Sequence, residues 1–369
     1  MKKYKLGDLL SEFHAGKAIQ TENIKNKGAY PVYGGNGQRG YTDSYNQDGE
    51  YLIIGRQGAY CGNVRYNIGK AYLTEHAIVG QTREYHNSIY IALKLSLMKL
   101  SQLQGQSAQP GLSVNTLSCI SMEMPPKEIQ DKIADIMLKL DRKIELNRQI
   151  NDNLEAMAKQ LYDYWFVQFD FPNEDGKPYK SSGGAMVWNE KLKREIPQGW
   201  DFCFLEDLLT IRNGRDHKHL ADGIYPVYGS GGEMRKVSEY LYDGESVLMP
   251  RKGSLNNIMY VNEAFWTVDT MFYSEMKLSN CAKYIYYTLK DIDFTRWDSG
   301  TGVPSMTSST LYSIKLVKPQ NETLKKFDEM ISPLFEHMKQ ISEQNVVLTK
   351  QRDELLPLLM NGQASVNSD

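Results

Sequence analysis

The chain has 369 residues, of which 41% are hydrophobic, and a formal net charge of −2. This length fits two to three domains with real cores. No apolar run reaches the roughly 18 residues of a membrane helix, and the N-terminus lacks the apolar stretch of a signal peptide. The cysteines are far apart and form no CxxC pair, so we expect a reduced, cytoplasmic protein without a metal site.

The chain contains an internal repeat. The sequence Tyr-Pro-Val-Tyr-Gly occurs at 30–34 and again at 225–229, and Asp-Gly-Glu occurs at 48–50 and at 243–245. Further matched pairs are Arg56 with Arg251, Thr74 with Thr267, and Pro110 with Pro304. Solenoid units are shorter, about 20–50 residues, and need at least three copies. The pattern therefore indicates a tandem duplication of a whole domain and the segment that follows it.

Each repeat begins with a globular part. An apolar stretch opens it, Leu6–Leu10 in one copy and Leu205–Leu209 in the other, and short runs rich in Tyr, Val and Ile follow. Gly, Asn and Asp interrupt these runs, which is typical of strands and tight turns. One helix is predicted in each copy, with one face formed by Ile89, Leu93, Leu97 and Leu100 in the first and by Tyr284, Tyr287 and Leu289 in the second.

Each repeat ends with a long heptad pattern. The core series of the first is Ile133, Met137, Leu140, Ile144, Asn147, Asn151, Leu154, Ala158, Leu161 and Trp165. The same series 194 positions later is Phe327, Ile331, Leu334, Met338, Ile341, Asn345, Leu348, Arg352, Leu355 and Leu359. Such a pattern favours coiled-coil packing. The alternative is an amphipathic helix on a globular core, and Pro333 is expected to break or kink the second helix.

These elements predict an α+β protein with an internal pseudo-twofold repeat. Two similar mixed α/β globular domains are separated by two long antiparallel coiled-coil helices. The predicted boundaries are globular domain 1 at 1–125, helical spacer 1 at 126–166, a linker at 167–199, globular domain 2 at 200–319, helical spacer 2 at 320–362 and a tail at 363–369.

Several motifs in this order resemble the DNA-specificity subunit of type I restriction–modification enzymes, over nearly the whole chain. They are Gly-Arg-Gln-Gly (55–58), Pro-Arg-Lys-Gly (250–253), the helix entry at 125–136, Ile-Pro-Gln-Gly-Trp (196–200), and the C-terminal segment 352–362. The resemblance implies two target recognition domains, each reading one half of a split site on double-stranded DNA. It implies that the helices act as a spacer and dock two methyltransferase subunits, and that restriction/translocase subunits join the complex.

The chain lacks the motifs of a self-sufficient enzyme. It has no phosphate-binding G-x-x-x-x-G-K-[ST] loop and no Asn-Pro-Pro or Asp-Pro-Pro tetrad for amino-group methylation. We therefore expect no catalysis and no cofactor on this chain, with S-adenosylmethionine, ATP and Mg²⁺ on partner subunits. The alternatives are a self-sufficient DNA-modifying enzyme and a coiled-coil scaffold without DNA readout.

Candidate DNA contacts are side chains in Gly-flanked loops. Arg or Lys suits guanine, Asn or Gln suits adenine, and Lys, Arg and hydroxyl groups suit phosphate. In the first domain the candidates are Lys17, Asn36, Gln38, Arg39, Arg56, Gln57, Tyr60, Gln106 and Ser107. In the second they are Arg215, Lys218, Arg235, Lys236, Arg251, Lys252, Asn256, Ser299 and Thr301.

Two asparagines occupy the same heptad position in the two helices. Asn151 and Asn345 lie in predominantly apolar series, close to the middle of each helix. A buried asparagine needs a hydrogen-bond partner, and one polar core residue can fix the register of a coiled coil. We predict that these residues face each other and fix the register; the alternative is that both point partly toward solvent.

Overall fold

The computed structural model describes residues 2–103, 111–297 and 304–364. The chain divides into two compact units: Met1–Arg148 with Ser342–Asp369, and Gln149–Ile341. The boundaries between the units lie within the two long helices of the chain. Each unit therefore combines a globular part with one part of each helix.

The first unit is built on small antiparallel and mixed sheets. Its strands are β1 (Lys2–Lys5), β2 (Leu10–Ala15), β3 (Tyr30–Gly34), β4 (Gly37–Thr42), β5 (Glu50–Gly55), β6 (Val64–Ile68), β7 (Tyr72–Leu73), β8 (Ala77–Thr82) and β9 (Ser121–Met124). They form sheets of order β2-β8-β5-β6, β4-β3-β7 and β1-β9. Only β3 and β7 pair in parallel among these strands.

The helices of the first globular part are short. They are α1 (Leu6–Leu9), α2 (Ser88–Ser96) and α3 (Val114–Ser118). The Asn87 side chain caps α2 by accepting the Tyr90 N–H at 2.9 Å, which satisfies an otherwise unpaired donor at the helix start. The predicted helix is confirmed, but it ends at Ser96, so the predicted face member Leu97 is a half-exposed cap residue.

Strand β5 has a core on both faces. Leu52 and Ile54 pack in one buried cluster with α1 and α2, whereas Tyr51 and Ile53 pack in another with residues of β7 and β8. Successive side chains of a strand point to opposite faces, and a strand that is buried on both faces reads as a continuous apolar run. The central strand therefore fixes the loop that follows it at Gly55.

The second unit repeats this plan. Its strands are β10 (Met186–Asn189), β11 (Arg194–Pro197), β12 (Asp201–Phe204), β13 (Leu209–Asn213), β14 (Asp222–Gly229), β15 (Gly232–Val237), β16 (Tyr242–Pro250), β17 (Met259–Thr267), β18 (Met271–Met276) and β19 (Lys315–Lys318). One sheet has the order β13-β18-β16-β17-β14-β15, and β12 pairs with β19 as β1 pairs with β9. The globular helices are α5 (Leu205–Leu208), α6 (Ala282–Lys290) and α7 (Ser308–Tyr312).

The two long helices are α4 (Lys127–Tyr162) and α8 (Asn321–Met360). In the first unit Asp141 contacts Arg352 and Asn147 contacts Asn345; in the second the Trp165 ring lies 5.6 Å from Phe327. In the second unit the Asn151 side chain of α4 also donates to the Met338 carbonyl, whereas Trp165 lies just after α4. Partner numbers therefore fall as residue numbers rise in both units, so the helices are antiparallel within each unit. Every predicted heptad core position is buried or half-buried, which confirms the pattern.

Helix α8 is continuous through Pro333, so a break at Pro333 is wrong, and the other predicted outcome, a kink, stays a prediction. Proline removes one backbone N–H donor from a helix. The neighbouring turns are held by packing instead, since Phe327 and Ile331 are fully buried in the second unit. Tertiary contacts therefore outweigh the local cost of the proline.

The segment predicted as a linker, 167–199, is folded in the second unit. Its β10 and β11 form a hairpin, Phe171 stacks on Trp200 at 4.8 Å, and Asp170 accepts the Ser181 N–H at 2.7 Å. Buried aromatic side chains contribute large apolar areas. They order a segment whose Gly, Pro and Ser content alone indicates a linker.

Candidate nucleic-acid interface

Three loops of the first unit meet in one cluster, which we call the first loop cluster: residues 34–37, 55–61 and 74–76. The Arg56 N–H donates to the His76 carbonyl at 2.9 Å, and the Thr74 N–H donates to the Tyr33 carbonyl at 2.9 Å. A Cβ at Gly35 would lie 3.0 Å from the His76 carbonyl oxygen. Glycine at this position therefore lets the three loops approach closely.

The second unit builds the same arrangement, the second loop cluster, from residues 229–232, 250–257 and 268–270. The Arg251 N–H donates to the Thr270 carbonyl at 2.8 Å, and the Val268 N–H donates to the Tyr228 carbonyl at 3.0 Å. These bonds match those of the first unit one for one. The same backbone frame is therefore present twice.

The strand register defines which positions are equivalent. Val32 lies opposite Tyr72, and Val227 lies opposite Trp266. Thr267 is thus equivalent to Leu73, so the sequence match of Thr74 with Thr267 is wrong by one residue. By the same register, Glu75 corresponds to Asp269 and His76 to Thr270.

The repeated arginines make the same contact. The Arg56 Nη1 donates to the Glu75 carbonyl at 3.4 Å, and the Arg251 Nη1 donates to the Asp269 carbonyl at 3.5 Å. Each guanidinium has further N–H groups beyond this bond. Both arginines therefore brace their own cluster and can also donate to a ligand.

A sequence model described as the type I restriction modification DNA specificity domain matches residues 1–156 and 197–346. The chain belongs to this family. The two matched segments carry the two loop clusters. As a type I specificity subunit, the protein recognises DNA.

Two relatives of this chain are specificity subunits of type I restriction enzymes. The chain is 28% identical over 318 residues to the type I restriction enzyme MjaIX specificity subunit of Methanocaldococcus jannaschii, covering 78% of this chain and 70% of that one. It is 41% identical over 144 residues to the EcoprrI specificity subunit of Escherichia coli, which covers 38% of this chain and 36% of that one.

A solved structure shares the fold. The crystal structure of a type I restriction–modification system S subunit from M. genitalium aligns with a TM-score of 0.67 at 19% identity, covering 97% of this chain and 95% of that one. The predicted α+β fold with two similar globular domains and two long helices is confirmed.

Several predicted DNA contacts of this specificity subunit are exposed at the tips of the clusters. Asn36, Gln38 and Arg39 lie in or beside the β3–β4 turn, and Tyr60 is 51% exposed. In the second cluster Lys252 is exposed beside Arg251, while Gln57 at the equivalent position is half-buried. The cluster tips therefore present amide, aromatic and cationic groups, which suit base edges and phosphates.

Two other predicted contacts are engaged inside the protein. The Arg235 Nη2 donates to the His217 and Leu220 carbonyls at 3.0 and 2.7 Å. The Asn256 side chain donates to Asp293 at 3.1 Å and accepts the Phe294 N–H at 2.8 Å. Their contacts hold the loops in place, and a DNA contact by either residue stays a prediction.

The remaining candidates lie at the edge of the clusters or outside the described residues. Lys17 and Arg215 are exposed, and their backbone N–H groups bond to the Leu73 and Thr267 carbonyls. Lys218 and Lys236 are exposed. Gln106, Ser107, Ser299 and Thr301 fall in segments 104–110 and 298–303, outside the described residues.

Sequence reasoning missed Arg65 and His76. The Arg65 Nη2 donates to the Asn36 carbonyl at 3.0 Å, and Gly37, with a φ of +111°, leaves room for the guanidinium. A Cβ at Gly37 would lie 2.4 Å from the Arg65 Nη1. The glycine of the hairpin turn was the available signal, but it does not identify the strand that supplies the arginine.

The helices contain a buried polar layer. In the first unit the Asn147 side chain, 1% exposed, donates to Gln344 at 2.8 Å and to Asn345 at 2.9 Å. In the second unit the Asn151 side chain donates to the Met338 carbonyl at 3.2 Å. The observed side-chain partner of Asn345 is therefore Asn147. The predicted contact between Asn151 and Asn345 joins residues of different units and stays a prediction.

Proposed function

We propose that each loop cluster reads one half of a bipartite site on double-stranded DNA. The proposal rests on one observation. The two loop clusters share the same backbone arrangement, but the side chains at their tips differ. Gln57 is replaced by Lys252, and His76 by Thr270, at equivalent positions. Two domains that read different half-sites need this combination, because the frame positions the chain while the tip side chains distinguish bases.

The chemistry at the tips suits direct readout. Glutamine can pair with adenine through one donor and one acceptor, whereas lysine donates to the O6 and N7 acceptors of guanine. Arg56 and Arg251, which keep the same place in both clusters, suit the sequence-independent phosphates. The overall charge of −2 is unusual for a protein that binds DNA alone, which supports a partner that supplies part of the positive surface.

The helices set the spacer between half-sites and dock two methyltransferase subunits in this proposal. They carry apolar side chains that face solvent: Val346 is 70% exposed and Val347 53% in the first unit, and Met157 is 55% exposed in the second. Contiguous exposed apolar patches mark protein-binding surfaces, whereas single exposed apolar residues are ordinary, so the adjacent Val346 and Val347 support docking more than Met157 does. Methyl transfer, cleavage and translocation then belong to the methyltransferase and restriction/translocase subunits.

Cofactors follow the same division. S-adenosylmethionine, ATP and Mg²⁺ are proposed to bind the partner subunits, and the complex is proposed to act in the cytoplasm. Along the described residues, no helix is both long and apolar enough to cross a membrane. The proposal includes no membrane partner.

A domain exchange tests this function. Residues 200–319 are replaced by those of another family member, the complex is assembled in a host, and methylated sites are mapped by sequencing. We expect one half of the recognition site to change, with the other half and the spacer retained. The reciprocal control replaces residues 1–125 and should change only the other half. Changes in both halves from one exchange would contradict independent reading.

A further inference from the structure

We propose that His76 is a positioning residue that orients the Gln57 amide to read one adenine in the first half-site. The inference rests on the proposed function of the first loop cluster as a base-reading site. It adds a residue outside the predicted DNA contacts and assigns a base to one position.

His76 contacts Gln57 directly. The His76 Nδ1 lies 3.3 Å from the Gln57 Oε1, and an amide oxygen can only accept a hydrogen bond. The Nδ1 therefore donates in this contact. Because the Nε2 also faces the Glu75 carboxylate, the ring that makes both contacts is the doubly protonated imidazolium, in which neither nitrogen can accept. The bond distinguishes the oxygen end of the amide from its nitrogen end, since a flipped amide would place two donors face to face.

The imidazole ring is itself held from two sides. Its Nε2 lies 3.3 Å from the Glu75 Oε1, and the His76 carbonyl accepts the Arg56 N–H at 2.9 Å. The backbone bond fixes the position of the His76 main chain, and the contact with the Glu75 carboxylate limits rotation of the imidazole ring. A ring held in this way orients its neighbour at little further cost in conformational entropy.

The oriented amide matches adenine. An amide oxygen has two lone pairs, so one bond from His76 leaves one lone pair for the adenine N6 amino group. The Gln57 Nε2 then donates to the adenine N7, which completes the two-bond pairing of glutamine with adenine. An amide that flips freely would lose part of this preference before it met the base.

The second cluster explains why the orienting residue occurs only once. Lysine carries equivalent N–H donors and no acceptor, so Lys252 has no wrong orientation to exclude. The position equivalent to His76 is Thr270, and no contact of its side chain with Lys252 is seen among the described residues. The two positions therefore change together between the clusters. The first cluster has the Gln57 amide with an orienting imidazole, and the second has the Lys252 ammonium without one.

The test maps methylated sites for the complete complex carrying His76→Ala, Gln57→Ala, Gln57→Lys or Gln57→Lys with His76→Ala. His76 is exposed, so we expect its removal to leave the fold intact. For His76→Ala we expect discrimination for adenine at one position of the first half-site to fall roughly tenfold, within the range of a bidentate base contact. The second half-site and the spacer stay the same.

Three further results sharpen the test. Gln57→Lys should shift this position toward guanine, and adding His76→Ala on that background should change nothing more. His76→Asn keeps an N–H donor near the Nδ1 position and should restore the wild-type preference. His14→Ala, which removes an exposed histidine of strand β2 outside the loop cluster, is the control and should change neither half-site.

Two outcomes would overturn the inference. Unchanged discrimination in His76→Ala, with relaxed discrimination in Gln57→Ala, would remove the positioning role. Unchanged discrimination in Gln57→Ala would show that Gln57 reads no base, while methylation of a bipartite site would leave the proposed function standing. A wild-type complex that methylates no bipartite site would instead overturn the proposed function itself.

Discussion

The two units share a backbone plan but attach their helices with different side-chain chemistry. In the second unit Lys283, 4% exposed, joins Glu245 at 2.6 Å and Asp328 of α8 at 2.8 Å. In the first unit the equivalent of Lys283 is Ile89, and Asp141 of α4 is shared by Tyr66 and Arg352 instead. Duplication has therefore preserved hydrogen bonds between backbone groups, whereas side-chain contacts have diverged at the helices as they have at the loop tips.

The largest expected effect comes from removing the buried lysine. Lys283→Met leaves two carboxylates without their cation, and breaking a buried ion pair in this way costs about 3 kcal/mol or more. Ile89→Met, the matched change in the first unit, conserves volume and should cost less than about 1.5 kcal/mol. Urea unfolding of both variants measures the difference. Equal, small losses would show that the ion cluster does not stabilise the second unit.

The repeated arginines should behave alike in DNA binding. If Arg56 and Arg251 hold phosphates, each change to alanine weakens binding to all sequences and lowers the salt slope by about one per contact. Binding of the complex at several salt concentrations measures this slope. Lys193→Ala, on the exposed β10–β11 hairpin, is the control and should leave it unchanged. Relaxed preference at a single base position, with little general loss, would mark the arginines as base readers instead.

The polar layer in the first unit should matter for register. Asn147→Leu leaves the Asn345 oxygen without its donor, which costs about 1–2 kcal/mol for a buried group. Spacer-length discrimination should weaken before affinity does, because one polar core residue can fix coiled-coil register. Binding to duplexes with altered spacers measures both quantities. Arg148→Leu, at the exposed neighbouring position, should change neither, and an equal effect of the two variants would argue against a register role.

The smallest expected effect is the pH dependence that one carboxyl of the second unit, Asp293, adds to stability. Hydrogen bonds from the Thr295 hydroxyl and then the Asn256 amide lower the pKa of Asp293 to about 2. A depressed folded-state pKa contributes stability that is present above the usual carboxyl pKa and is lost as the pH falls toward 2. The equivalent residue of the first unit is Lys99.

Unfolding of the wild type and of Asp293→Asn between pH 5 and pH 2 checks this dependence. We expect the stability difference between the two proteins to shrink as the pH falls through this window. A difference that does not vary with pH would show that the hydrogen bonds to Asp293 do not stabilise the folded state. Lys99→Asn in the first unit should give no such trend.

The sequence predicted the features that depend on local spacing. The repeat, the helix near Ile89 and the heptad core from Ile133 onward follow from periodicity, since side chains three and four residues apart share a helix face. The Gly-flanked loops at 34–37 and 55–58 could also be located, because glycine permits close backbone approach. These features account for most of the fold and for the position of the two loop clusters.

Features that depend on distant contacts could not be predicted in this way. Arg235 reads as an exposed cation, yet its guanidinium is held by carbonyls some fifteen residues away in the chain. The partner of Asn345 depends on the stagger between α4 and α8, which heptad counting alone does not determine. Arg65 and His76 join the first loop cluster only because the sheets bring separate strands together.

The most direct test of the central claim exchanges one tip side chain between the clusters. Lys252→Gln places the residue of the first cluster into the second, and the methylated sites of the complex are then sequenced against the wild type. We predict a changed or relaxed base at one position of the second half-site, with the first half-site and the spacer intact. An unchanged recognition sequence, or a change in both halves, would contradict two independently reading loop clusters.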